Sequence, residues 1–130
     1  MIVIDASAAV EVLLQTPAAG KIATRIFDPA ETLHAPHLID LEIAQVLRRY
    51  LQTKQADEQR CETALQDWLV FPIRKYAHEH LLTRVWELRD NVTAYDGVYI
   101  ALAEALDAPL LTRDKRLANA PGHKAKVELA

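Results

Sequence analysis

Four carboxylates stand out for where they fall. Asp5 follows the apolar run IVI, Glu42 lies in LIDLEIAQVLRR, Asp96 in TAYDGVYIALAEAL, and Asp114 just after PLLT. Brought together, they would make an all-oxygen pocket. Like charges at close range raise one another's pKa or need a cation. Oxygen ligands suit Mg²⁺ or Mn²⁺ rather than zinc. Such an ion keeps waters, binds phosphate oxygens and supports in-line displacement, so the chemistry suggested is metal-dependent hydrolysis of a phosphate ester or diester.

Taken singly, each acid has an ordinary structural reading. Asp5 could accept from backbone N–H groups of a following helix, and Asp114 could cap the stretch RLAN. Asp96 could offset the positive end of its helix, and Glu42 could be a surface residue. Asp96 is the most telling. On a helix its neighbours are Val92, Tyr99, Ile100 and Ala103, which puts the carboxylate on an apolar side. A buried carboxylate must be paired, protonated or metal-bound. Glu42 is similar: Leu38, Ile39 and Val46 flank it, while Gln45 and Arg49 leave one side polar. Four such acids at one edge argue for one pocket over four accidents.

That edge follows from the elements. IVI (2–4) reads as a buried strand, ETLHAP as a second ending at Pro36, WLVFPI (68–73) as a third, APLLT (108–112) as a fourth and KVEL (126–129) as a fifth, at an edge. Between them lie helical patterns: from a Ser7 cap to about Gln15 with Pro17 ending it, 18–27 up to Asp28-Pro29, and HLIDLEIAQVLRRYLQTK. Further helices follow over 57–68 with Asp57 as cap, over 76–89 with Leu81, Leu82, Val85, Trp86 and Leu88 on the apolar side, and from a Thr93 cap through AYDGVYIALAEAL. RDKRLAN is a short helix or turn. Alternation of this kind predicts an α/β fold with a mostly parallel sheet of four to five strands and helices on both faces. In such sheets ligands bind beyond the carboxyl ends of the strands, where Asp5 and Asp114 fall.

Composition sets the frame. The chain has 130 residues, 51% apolar and 25% charged, which predicts one globular domain over 1–130 with chain enough for a core. No run approaches the roughly 20 apolar residues of a membrane span, and nothing reads as a secretory signal. A single cysteine, Cys61, predicts a structural thiol and a reducing cytoplasm. The net charge of −3 does not advertise nucleic-acid binding, but segregated charge and bound cations permit it.

The segments VIDASA, APHLIDLEIAQVLRR and TAYDGVYIALAEALDAPLLTRDKRL resemble the PIN-domain ribonucleases, most closely the VapC-type toxins of toxin–antitoxin pairs. The likeness spans almost the whole chain, and its last segment is the most specific. It implies a three-layer α/β/α fold. It implies Mg²⁺ or Mn²⁺ held by Asp5, Asp96 and Asp114, Glu42 completing the catalytic set, and Ser7 and Thr112 supporting it by hydrogen bonds. It implies cleavage of single-stranded or looped RNA without attack by a 2′-OH. It further implies a homodimer held by a cognate antitoxin, in a heterotetramer or larger, with no membrane. The antitoxin would wrap apolar helical surface near residues 7–27 and 38–54, where exposed Ile22, Ile26 and Phe27 would form a groove. Two details depart from the simplest pattern: Lys115-Arg116, not another acid, follows Asp114, and Gly97 sits inside a helix beside Asp96.

Cations must offset an acidic pocket before RNA can approach. Arg113, Lys115 and Arg116 near Asp114, with Lys124 and Lys126 beyond, and Arg48, Arg49 and Lys54 along the helix of Glu42, are the phosphate-contact candidates. Trp68, Trp86 and Tyr99 read as core rather than stacking platforms. The five histidines lack zinc-ligand spacing and read as surface or loop residues. A haloacid-dehalogenase-type phosphatase needs a carboxylate where Ser7 stands, and a receiver domain needs an acid after strand three, where Pro72-Ile73-Arg74 offers none. The remaining alternative is a non-catalytic PIN-like RNA-binding or scaffold module.

Overall fold

The computed structural model describes residues 1–130. Strands β1 (Ile2–Ile4), β2 (Leu33–Pro36), β3 (Ile73–Tyr76), β4 (Leu110–Thr112) and β5 (Val127–Leu129) form one sheet in the order β3-β2-β1-β4-β5. Every neighbouring pair is parallel, so the sheet is wholly rather than mostly parallel. β1 is central and buried along its whole length, as a strand covered on both faces must be.

Seven helices surround the sheet: α1 (Ala6–Leu13), α2 (Ala19–Ile26), α3 (Ile39–Gln52), α4 (Glu58–Leu69), α5 (Leu82–Glu87), α6 (Ala94–Leu106) and α7 (Lys115–Ala118). α1 packs against α2, α3 and α4, while α5 pairs with α6, which lies against β1 and β2. By the right-handed rule for parallel crossovers, this strand order puts α1–α4 on one face and α5–α7 on the other, a three-layer α/β/α fold. Ile39, Ile43 and Leu47 recur every four residues and seat α3 on the core.

The order of strands locates the site. The chain moves from β1 to β2 and β3 on one side, then returns to β4 and β5 on the other. The carboxyl ends of β1 and β4 therefore flank the switch point, where an open α/β sheet leaves a crevice. Ile4 pairs with Leu111, so Asp5 and Thr112 emerge side by side at that crevice.

Several expectations are corrected. Asp5, not Ser7, is the N-cap of α1: its side chain accepts from Ala8 N, and Ser7 lies inside the first turn. The helix ends at Leu13, before Pro17, with Gln15 in a left-handed conformation. WLVFPI is not a strand; Trp68 and Leu69 finish α4, and β3 begins at Ile73. The expected helix over 76–89 divides into the end of β3, a single tight turn over Glu79–Leu81, and α5. Leu81, Val85 and Leu88 face the core, but Leu82 and Trp86 are exposed, with Arg89 stacked on the indole. Ile22 and Ile26 are core residues of α2, so they form no exposed groove, and only Phe27 of the three reaches the surface.

His34 is also a correction. It is buried in β2, its ring bonded to Thr32 Oγ1 at 2.7 Å and to Tyr76 Oη at 2.6 Å, which ties β2 to β3. Burial pushes its pKa down, with help from the terminal amine and Arg74. Cys61 is a buried free thiol contacting the Leu47 carbonyl. No helix is long and apolar enough to cross a membrane.

Candidate active site

Asp5, Glu42, Asp96 and Asp114 line one cavity of about 410 Å³ at the crevice. Each arrives on a different element. Asp5 ends β1 and caps α1; Glu42 is in the first turn of α3; Asp96 is in the first turn of α6 behind the Thr93 cap; Asp114 caps α7. For Asp5 and Asp114 the cap and the pocket are the same residue. One carboxylate oxygen accepts a backbone N–H while the side chain still borders the cavity.

Asp5 is the most constrained. Ser7 Oγ donates to its Oδ1 at 2.6 Å, Ala8 N donates to the same oxygen at 3.1 Å, and Thr112 Oγ1 donates to Oδ2. Thr112 Oγ1 in turn accepts from Asp114 N at 3.0 Å, and Ser7 Oγ accepts from Arg113 N at 2.9 Å. Ser7 and Thr112 thus join the end of β1 to the loop carrying Asp114. Glu42 accepts from the hydroxyl of Tyr99, a fully buried residue one turn beyond Asp96 on α6.

Burial first, and neighbouring carboxylates second, hold Asp5, Glu42 and Asp96 above their ordinary pKa values. Burial raises the Asp5 pKa against its hydrogen bonds, and Asp96 adds to the rise. Burial raises Glu42, opposed by the Tyr99 bond and reinforced by Asp5 and Asp96. Burial and then the charge of Asp114 raise Asp96, against Thr93 and Arg116. No three His, Cys, Asp or Glu side chains are gathered tightly enough to grip one ion at rest. The donor chemistry still fits a hard divalent cation: the carboxylates are all-oxygen, share one cavity, and carry a repulsion that a cation would relieve.

The cations divide. Arg49 and Arg113 line the cavity. Arg48 faces a different hollow between α3 and α4, with Leu51 and Leu65. Lys115 and Arg116 are exposed on α7, and Arg116 Nε lies 3.9 Å from Asp114 Oδ1. Two lining residues escaped sequence reasoning. Glu11 is four residues from Ser7 on α1, a spacing that signals a shared face. Tyr99 shows the right helical offset from Asp96 but reads as core. A larger hollow, about 750 Å³ at the amino ends of β2 and β3, gathers no comparable set of acids.

The PIN domain family matches residues 2–122. The chain belongs to that family. Within it, the chain is closely related to VapC-type toxins. It is 40% identical over 129 residues to ribonuclease VapC12 of Mycobacterium tuberculosis, covering 99% of this chain and 98% of the relative. It is 44% identical over 119 residues to ribonuclease VapC9 of the same organism, covering 92% and 90%. In fold it matches VapBC2 from Rickettsia felis, solved bound to a DNA fragment from its promoter, with TM-score 0.70 and 14% identity over 99% of this chain and 98% of that one.

Proposed function

We propose that this chain is a divalent-metal-dependent endoribonuclease of the VapC type, the toxin of a toxin–antitoxin pair, hydrolysing RNA phosphodiester bonds. The observation that carries the reading is the convergence of four carboxylates from four elements in one cavity at the switch point. The kinship to VapC12 and VapC9, both named ribonucleases, supports it.

Asp5, Asp96 and Asp114 would hold Mg²⁺ or Mn²⁺, with Glu42 completing the set. A bound ion of this kind supplies Lewis acidity toward a phosphodiester and offsets charge developing at phosphorus. The chain's own residues do the rest. Ser7, Ala8 and Thr112 fix both oxygens of Asp5, so that carboxylate has one orientation. Tyr99 occupies Oε1 of Glu42, which leaves Oε2 to take a proton from an attacking water. Burial raises the Glu42 pKa, which makes its carboxylate a stronger base than an exposed glutamate. Arg113 and Arg49 offer phosphate contacts at the cavity, with Lys115, Arg116 and Arg48 farther along the surface. Water as nucleophile leaves the 2′-OH without a chemical role. A cognate antitoxin and a homodimer complete the reading, though Ile22 and Ile26 lie in the core and take no part in docking.

The test compares wild type with Asp96→Asn, freed of partner, on total RNA with Mg²⁺, Mn²⁺ or chelator. Cleavage by wild type only with metal, and a folded but inert variant, is the expected result. Equal cleavage by both would remove the acids from the chemistry. RNA binding without cleavage would favour a non-catalytic binding module.

A further inference from the structure

The cavity holds a fifth carboxylate for which the reaction has no use. Glu11, on α1, lines it beside the other four. Its Oε2 accepts from Thr16 Oγ1, and its carbonyl accepts from Thr16 N at 3.1 Å, so the turn after α1 holds it in place. Its Oε1 lies 3.3 Å from Arg113 Nε. Glu11 is the more sheltered partner, with its side chain 17% exposed against 37% for Arg113. The backbone of Arg113 is anchored through its N–H to Ser7 Oγ, beside Asp5. The fixed member of the pair is therefore the acid, and the member able to turn is the guanidinium.

We propose that Glu11 is a latch on Arg113: it occupies the guanidinium until an RNA phosphate displaces it, and so sets how tightly the chain holds RNA. This rests on the nuclease reading of the site. A guanidinium binds carboxylate and phosphate through the same fork of donors. Here the nearest approach, Nε to Oε1, is an ion pair without a hydrogen bond rather than the two-pronged arrangement, so the pair is weak and exchangeable. A phosphodiester entering the cavity meets one more negative charge and one cation already committed. Removing the Glu11 charge therefore tightens RNA binding, whereas a mere brace between α1 and the loop after β4 would give lower stability and unchanged affinity.

The experiment measures binding of a fluorescein-labelled single-stranded RNA oligonucleotide by anisotropy, using the full chain carrying Asp96→Asn to prevent cleavage. Adding Glu11→Gln, which keeps an acceptor for Thr16, should tighten binding by about 3- to 10-fold at low salt. Arg113→Ala should weaken binding and abolish most of that gain, while the melting midpoint of Glu11→Gln falls slightly. In the active chain Glu11→Gln should lower KM. Unchanged or weaker binding by Glu11→Gln overturns the latch, as does an equal gain in the Arg113→Ala background, which would be a general charge effect. If wild type cleaves RNA with metal yet Glu11→Gln binds no tighter, the latch alone falls. A chain that neither cleaves nor binds RNA overturns the latch and the nuclease reading together.

Discussion

Tyr99 shows how one hydroxyl can matter to a carboxylate it only touches. Its ring is buried in α6 one turn beyond Asp96, and its hydroxyl donates to Glu42 on α3. Burial and the Glu42 charge hold the phenol far above its ordinary pKa, so it stays a donor at any working pH. Without that donor the Glu42 carboxylate loses its orientation, and burial raises its pKa further. Tyr99→Phe keeps the packing and should lower the single-turnover cleavage rate about tenfold, the scale of one hydrogen bond to a charged group. In a Glu42→Gln background the same change should have little effect; equal losses in both backgrounds would assign Tyr99 to packing alone. The four acids were legible because strand ends and helix first turns share one edge of a parallel sheet. The pairs Tyr99–Glu42 and Glu11–Arg113 were not, since sequence spacing says nothing about which helices meet across a cavity.

Among elements, those with periodic burial were the most legible. α3, α4 and α6 begin and end within a residue or two of their expected limits, because apolar spacing and the caps Asp57 and Thr93 agree. β3 was misplaced because WLVF is apolar enough for either state. Trp68 buries as the last turn of α4, with its indole N–H on Asp40, and the strand that follows is the half-polar IRKY. His34 was misread because a polar ring in a buried strand becomes tolerable only through Thr32 and Tyr76, partners revealed by the register of β2 on β3. Gly97 sits on α6 facing Val85 of α5 and Val92 of the turn between them. A Cβ there would meet Val92 at 3.5 Å and Val85 at 3.6 Å, which is ordinary contact rather than a clash. Gly97→Ala should therefore fit and, by restricting the unfolded chain, stabilise the protein by about 0.5–1 kcal/mol in chemical denaturation. A loss of stability would mean that α5 and α6 cannot yield even slightly.

For the molecule as a whole, the acidic cavity sets stability against readiness for a cation. Asp5, Glu42 and Asp96 all have folded-state pKa values raised by burial and then, in varying degree, by neighbouring carboxylates: Asp96 on Asp5, Asp5 and Asp96 on Glu42, and Asp114 on Asp96. A raised carboxylate pKa means that the folded state binds protons more readily than the unfolded one. The penalty is then full at neutral pH, shrinks as pH falls through the folded pKa values, and is gone below the unfolded values near 4. His34 works oppositely: its depressed pKa withdraws stability as pH falls below the ordinary imidazole value. Glu31 and Glu104, held low by Arg25 and Arg84, keep their contribution until more acid pH. Comparing two chains that share His34, Glu31 and Glu104 isolates the cavity. Without metal at pH 7, Asp96→Asn should melt higher than wild type, by on the order of 1 kcal/mol or about 4 °C. That gap should narrow as pH falls and the wild-type cavity takes up protons. Added Mn²⁺ should raise the wild-type melting point by linkage and leave the variant nearly unmoved. A variant that melts no higher than wild type at pH 7 would mean that the carboxylates do not repel one another, and the physical case for a cation among them would fail with it.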